Sequence, residues 1–153
     1  MKIQHVVIVT VVCLSCPAWA KDVGSKNEFL YEFLQGRYEL IGRVPDSNKT
    51  YTGKVVLRKS GDYFEVIRRI EGKEIKGIGK IERATADKIR VLRVRFVDGN
   101  KSYEATYLIG SDLDNYGRLT GYLYLKEGGT KVPGLEALFI SHQALERNFR
   151  RGP

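Results

Sequence analysis

Two ionisable side chains stand at positions where the sequence otherwise places apolar residues. Arg68 alternates with Val66 and Ile70 along one run of the chain. Glu136 alternates in the same way with Leu138 in the last run. Because a charge in an apolar interior is costly unless it is paired, we predict that Arg68 and Glu136 meet inside the domain or at its rim. Alternatively, a bulge shifts the register and both side chains face water. An Arg68 without a protein partner would anchor a carboxylate or phosphate ligand.

Four tyrosines in the same alternating runs are the other candidate ligand-binding residues. A tyrosine combines a large apolar ring with a hydroxyl that needs a hydrogen-bond partner when it is buried. Inside a barrel, such residues either fill the core or line a pocket with a few polar groups. These tyrosines are Tyr38, Tyr51, Tyr103 and Tyr107.

The cysteine and histidine content argues against most catalytic and metal chemistry. Cys13, Cys16 and His5 all lie in the first twenty residues, so His142 is the only histidine after them. A single histidine in a basic segment is a poor basis for a Ser-His-Asp triad or a zinc site. No carboxylate pair stands in a setting typical of acid–base catalysis. We therefore expect no catalytic residues, no metal and no cofactor.

The first twenty residues have the features of a cleaved secretory signal. Lys2 precedes an apolar run over 6–14 that is too short to span a bilayer, and Ala18 and Ala20 form an A-x-A cleavage signal. The mature chain is predicted to start at Lys21 and to be periplasmic or secreted, without a transmembrane segment. The alternatives are a short buried strand or helix, or a lipid anchor on the second cysteine.

The chain is basic, which bears on its partners. It has 26 Lys+Arg against 18 Asp+Glu, a formal net charge of +8 that falls to +7 when the first twenty residues are removed with Lys2. A positive balance favours anionic partners such as phosphates, acidic glycans or membrane headgroups. The alternative is that solvated lysines only keep a small protein in solution. Nucleic acid fits the charge but not an exported location, so we expect no nucleic-acid partner.

The elements that position these residues are predicted to be strands. From Gly36 onward, apolar residues recur with a period of two over eight runs. Short segments rich in Asp, Asn, Gly and Pro separate the runs, and hairpin-length connections favour an antiparallel meander. Closing the sheet removes its exposed edges. We predict an all-β domain over 36–140, an eight-stranded antiparallel up-and-down barrel.

Strand parity divides the runs into an apolar inner set and a basic outer set. Arg68, Glu136 and the tyrosines fall in the inner set. The outer set is Lys54, Arg58, Arg69, Lys76, Lys80, Arg93, Arg95, Arg118 and Lys126.

Short helices are predicted at both ends of the barrel domain. Within 21–35, Ser25 and Glu28 form a capping box before apolar residues at helical spacing, which predicts a helix over about 26–34 that plugs one end of the barrel. After the last strand, residues 141–153 are basic and suit a short amphipathic helix. This tail would contact an anionic membrane or a partner, or else pack on the barrel or fray.

Several strand motifs resemble those of a known group of barrels. Gly36-Arg37-Tyr38 opens the first strand after a short helix, and it resembles the G-x-W signature of lipocalins and the wider calycin group, with tyrosine in place of tryptophan. Later strands carry Tyr51-x-Gly53, Leu119-x-Gly121 and Gly134-x-Glu136-x-Leu138. These patterns, over about 28–139, resemble small exported bacterial barrels of lipocalin- or avidin-like shape. The resemblance implies a barrel that binds a small apolar ligand.

Three functions remain open. The leading hypothesis is an exported binding protein that holds a small apolar or anionic ligand in the barrel, using Tyr38, Tyr51, Arg68, Tyr103, Tyr107 and Glu136. The second is a cell-envelope interaction or inhibitor module that uses the basic outer face and loops such as SDLDNYG. A carboxylate-based enzyme is the weakest alternative. A hollow interior would favour ligand binding, and a filled interior would favour surface recognition.

Overall fold

A closed antiparallel barrel of eight strands follows one helix in the computed structural model, which describes residues 22–111 and 117–141. Side chains are described from Asn27 onward. The predicted signal segment and the predicted C-terminal helix lie outside the described residues. The elements are α1 Asp22–Leu34, β1 Gly36–Arg43, β2 Thr50–Ser60, β3 Tyr63–Ile70, β4 Lys73–Ala84, β5 Ile89–Asp98, β6 Lys101–Ser111, β7 Gly117–Leu125 and β8 Gly134–Ile140.

The strands are connected up and down, as predicted. Each strand pairs with the next one along the chain, and β8 also pairs with β1, where Leu138 lies opposite Leu40. The turn between β3 and β4 shows why the chain reverses so sharply. Glu71 and Gly72 both have positive φ, 50° and 79°, as a two-residue hairpin turn requires.

Burial alternates along the strands and confirms the predicted inner face. On β5, Val94 is 1% exposed and Val97 is 60% exposed. Arg68 and Glu136 are buried with the inner set. Val91 is an exception, since it is buried although its parity points outward.

Helix α1 covers one end of the barrel, which we call the closed end. Tyr31 and Leu34 are buried, and the ring of Tyr31 packs on Phe64 with the centroids 4.8 Å apart. The hydroxyl of Tyr31 accepts a hydrogen bond from the backbone N–H of Ile81 at 3.2 Å. The predicted plug is therefore present. No helix among residues 22–111 and 117–141 is long and apolar enough to cross a membrane.

The start of α1 differs from the prediction. The helix begins at Asp22, so the expected capping box at Ser25 and Glu28 lies inside it and does not mark its start.

The barrel interior near the closed end is filled by large side chains. Leu34 of α1 joins inward-facing strand residues in one hydrophobic cluster. The hydroxyl of Tyr38 donates to the carbonyl oxygen of Leu34 at 2.8 Å, so this buried polar group is satisfied. Besides Leu34, the leucine and phenylalanine members of the cluster with at most 2% exposure are Leu40, Leu57, Phe64, Leu92, Leu119 and Leu138.

Two valines of β5, Val94 and Val97, give a direct test of the inner face. Val94→Asp places an unpaired carboxylate in the core, and we expect it to unfold the protein or lower the unfolding free energy by at least about 3 kcal/mol. Val97→Asp, the same change three residues along the strand, should cost about 0.5 kcal/mol or less. Chemical denaturation followed by circular dichroism measures both. Similar losses for the two variants would show that the inner face is assigned wrongly.

Candidate functional site

One row of inward-facing residues runs across five strands and has Glu136 at its centre. The register places Gly42 of β1 opposite Glu136 on one side and Gly121 of β7 opposite it on the other. Beyond the two glycines lie Tyr51 of β2 and Tyr107 of β6. A Cβ on Gly42 would lie 2.4 Å from the ring of Tyr51. The missing side chain of Gly42 therefore leaves the space for Tyr51 to reach the carboxylate, whereas Gly121 allows β7 to approach the backbone of Thr106 and Tyr107 closely.

Arg68 reaches Glu136 from β3, on another part of the barrel wall. Its Nη1 donates to Oε2 of Glu136 at 3.2 Å, and its Nη2 donates to Oε1. The hydroxyls of Tyr107 and Tyr51 donate to Oε2 and Oε1 respectively. Nη1 also donates to the Tyr107 hydroxyl at 3.2 Å. The predicted Arg68–Glu136 pair is confirmed, and the alternative in which both side chains face water is wrong.

The charges of this cluster are held in a buried setting. The side chains of Arg68 and Glu136 are 1% and 0% exposed. Burial by itself would raise the pKa of the Glu136 carboxyl, but the charge of Arg68 and the hydrogen bonds from Arg68, Tyr107 and Tyr51 outweigh it, so the pKa lies below its usual value. Burial, and then the charge of Glu136, raises the pKa of both tyrosine hydroxyls. The cluster therefore holds one positive charge, one negative charge and two neutral phenols.

The guanidinium of Arg68 also lies against an aromatic face. Its Cζ is 4.2 Å from the centroid of the Phe96 ring, a distance typical of a cation–π contact. Phe96 in turn stacks on Tyr103, with centroids 5.3 Å apart and planes at 15°. Nε of Arg68 is buried and has no hydrogen-bond partner among the described residues. Nε–H is thus among the guanidinium donors that the contacts with Glu136 and Tyr107 leave unused.

A cavity of about 230 Å³ lies at the end of the barrel opposite α1, which we call the open end. Tyr51, Arg68, Phe96 and Tyr103 line it together with apolar side chains, so the ion pair and the aromatic stack form its walls. The apolar side chains are Val44, Pro45, Ile70, Ile75 and Leu123.

The charged residues at the rim of this cavity are paired with opposite charges. Lys49 Nζ lies 3.4 Å from Glu71 Oε1, and both side chains are exposed. Asp98 is bound by Lys73 of the neighbouring strand. Neither pair contributes a net charge to the cavity entrance.

The six candidate residues from the sequence divide into three places. Tyr51, Arg68 and Tyr103 line the cavity. Glu136 and Tyr107 lie behind Arg68 and hold it in position. Tyr38 lies in the filled closed end, where its hydroxyl bonds to α1, so it does not belong to the site.

The cavity also contains residues that the sequence did not single out as ligand-binding. Phe96 was predicted only as an interior residue, and its contact with Arg68 depends on which strands are neighbours. Lys49 and Pro45 come from the β1–β2 connection, which alternation does not describe. Among residues 22–111 and 117–141, no three His, Cys, Asp or Glu side chains are grouped so that they could hold a metal ion.

A second and larger cavity lies on the outside of the barrel. This outer groove, about 630 Å³, crosses the outward faces of β5, β6, β7, β8 and β1, which at the usual strand spacing is about 19 Å. Its floor includes Val91, Thr120 and Ala137, and exposed Leu108 and Ile41 line it. An apolar groove of this kind on an outer wall is typical of an interaction site.

The predicted basic outer wall is largely neutralised. Arg93 and Arg95 both bind Glu82 and Glu104, at distances of 2.7 to 3.3 Å. The carboxyl pKa of Glu82 is lowered, first by its hydrogen bond from Arg95. Three more cations of the outer set form ion pairs with a carboxylate within 3.8 Å. These pairs are Lys54–Glu39, Arg58–Glu65 and Arg69–Glu74. Much of the positive charge on the strands is therefore matched locally.

Replacing one member of the buried pair should lower the unfolding free energy much more than replacing both. Arg68→Met or Glu136→Leu alone leaves a buried charge without a partner, so we expect a loss of about 3–5 kcal/mol in unfolding free energy. The double variant replaces both charges with apolar groups and should recover much of that loss. Urea denaturation of the four proteins gives the coupling free energy.

The exposed pair Lys54–Glu39 is a matched control for that cycle. Its atoms are 3.7 Å apart at the surface, and the same type of cycle should give about 0–1 kcal/mol. A coupling at Arg68–Glu136 no larger than this control would contradict the importance of the buried pair.

The acid limb of the stability curve should depend on Glu136. An unfolded glutamate has a pKa of about 4.3, and folding lowers the pKa of Glu136. Below about pH 4.3 the unfolded state takes up the proton first, so the contribution of Glu136 is complete above that pH and is lost as the pH falls through the folded value. Unfolding free energies from pH 7 to pH 3 should therefore fall more steeply in the wild type than in the Arg68→Met/Glu136→Leu variant. Parallel curves would contradict this.

Comparison with known proteins gives no functional assignment for the chain. No family model matches the chain, and no curated protein shows significant sequence similarity to it.

Proposed function

We propose that the protein is an exported binding barrel that holds a small apolar or anionic ligand in the cavity at its open end. The observation that carries this proposal is the cavity itself, in which a buried arginine with a spare donor is surrounded by aromatic and aliphatic side chains. Ligand sites combine these two features, an apolar lining and a few fixed polar groups. Export to the periplasm or the exterior rests on the signal-like first twenty residues.

The size of the cavity limits the ligand. Its 230 Å³ is below the roughly 300–1,000 Å³ of sites for drug-sized molecules, and the core fills the barrel beneath it. A cavity of about 150 Å³ accommodates a benzene molecule. The proposed ligand is therefore a small molecule with about one ring, and a long acyl chain does not fit.

The arrangement supports binding more than catalysis. Both carboxylate oxygens of Glu136 accept hydrogen bonds, and the lowered pKa of this carboxyl keeps it ionised at neutral pH. General acid catalysis needs a raised carboxyl pKa, and a nucleophile or base needs access to substrate. Glu136 has no exposed side-chain surface. We therefore assign it the role of fixing Arg68 and the tyrosines.

A second candidate function is recognition of a partner protein by the outer groove. The groove has a larger volume than the cavity inside the barrel, and its exposed Ile41, Leu108 and Tyr122 are large apolar side chains. This function would use an apolar surface and not the basic wall on which the sequence-based hypothesis relied. A partner with exposed apolar side chains fits it.

A pair of isoleucine-to-tryptophan variants separates the two functions. Ile70 lines the cavity at the open end and Ile41 lines the outer groove. Native mass spectrometry of the protein purified from the cells that make it should show a bound small molecule in the wild type and in Ile41→Trp. The larger ring in Ile70→Trp should displace it.

The outcomes of this comparison exclude one another. Retention of the small molecule by folded Ile70→Trp would contradict binding in the cavity. A bound polypeptide that is lost only in Ile41→Trp would support the outer groove instead. Circular dichroism spectra of the two variants control for folding.

A further inference from the structure

We propose that the cavity selects an uncharged, flat molecule with a hydrogen-bond acceptor and discriminates against anions. This inference rests on the proposed function and narrows its ligand class. It follows from how the charges, the hydrogen-bond donors and the aromatic rings around the cavity are arranged.

The charge of Arg68 is already neutralised by the protein. Glu136 contacts both terminal nitrogens of the guanidinium, so the end-on fork is occupied and the positive charge already has a counter-charge. An anionic ligand beside Arg68 would place a second negative charge close to the Glu136 carboxylate in a buried setting. Lys49 and Lys73 at the rim do not offset this negative charge, because they are paired with Glu71 and Asp98. Binding an anion would thus cost desolvation without an unpaired cation to offset it.

A neutral hydrogen-bond acceptor would satisfy a buried donor of Arg68 that lacks a partner. Nε of Arg68 is a buried donor without a partner among residues 22–111 and 117–141, and Arg68 lines the cavity. A buried donor without a partner is destabilising, so a carbonyl or similar oxygen that accepts a hydrogen bond from it removes that penalty. Such an oxygen brings no net charge next to Glu136.

The aromatic walls favour a flat ligand. Phe96 and Tyr103 stack with their planes at 15°, and Tyr51 also lines the cavity. Aromatic rings prefer offset-stacked or edge-to-face neighbours. A planar ring bearing one polar substituent suits both these walls and the volume.

Benzamide and benzoate test the inference, because they share a ring and a carbonyl-type oxygen and differ in charge. The intact protein is titrated with each at pH 7, and binding is followed by the NMR signals of Tyr51, Phe96 and Tyr103. We expect benzamide to shift these signals and to bind at least about tenfold more tightly than benzoate, a difference of about 1.4 kcal/mol.

Three variants locate the binding and test its cause. Ile70→Trp should abolish the shifts from benzamide, since the ring fills the cavity, whereas Ile41→Trp should leave them unchanged. Glu136→Gln removes the negative charge behind Arg68, so benzoate should gain at least about tenfold in affinity while benzamide changes little. If Glu136→Gln does not fold, the comparison of the two probes in the wild type decides the matter.

The failures of the inference and of the proposed function give different results. Benzoate binding as tightly as benzamide, or more tightly, with loss of both in Ile70→Trp, overturns the selection against anions and leaves the cavity as a binding site. Shifts that persist in Ile70→Trp, or no shift with either probe, overturn both the inference and the assignment of this cavity.

Discussion

A guanidinium and a carboxylate meet in the dry interior between β3 and β8, and the arrangement around them depends on that contact. The pair constrains register, because a one-residue slip of β8 would turn Glu136 outward and leave Arg68 buried without a partner. It also accounts for Gly42 beside Glu136, since a side chain at that position would clash with Tyr51, which donates to the carboxylate as Tyr107 does. Replacing a buried ion pair with apolar residues often leaves the unfolding free energy unchanged or raises it. We therefore expect this pair to contribute more to the closure of one barrel and to the position of Arg68 than to stability.

The two ends of the barrel interior differ, since one is filled by side chains and the other contains the cavity. Near the closed end, α1 and the leucine-rich cluster fill the barrel as any small domain core is filled. Near the open end, Arg68, Phe96 and Tyr103 are held by contacts with each other, and space remains beside them. The rigid half thus positions the site, and the ion pair lies where the two halves meet. A ligand-binding barrel needs both properties in one molecule.

Alternation along single strands was enough to predict the strands and the burial of Arg68 and Glu136, and the short turn segments predicted the strand order. The pairing followed as a hypothesis, because buried charges need partners. The remaining features depend on contacts between strands. Tyr38 and Tyr103 look alike in the sequence, yet one bonds to α1 and the other lines the cavity. The space beside Glu136 requires knowing that Gly42 is its partner across the β1–β8 closure. Neutralisation of Arg93 and Arg95 likewise depends on the acidic residues of adjacent strands.

The position of β8 in the chain has a consequence for biosynthesis. Glu136 follows Arg68 by 68 residues and lies in the last strand, which pairs with both β1 and β7. While the chain is still emerging, Arg68 has no counter-charge, and the edges of β1 and β7 are open to other strands. Closure therefore cannot precede completion of β8, and contacts of such long sequence separation form slowly. The two strand edges and the charge of Arg68 therefore stay unpaired until the whole domain has been synthesised.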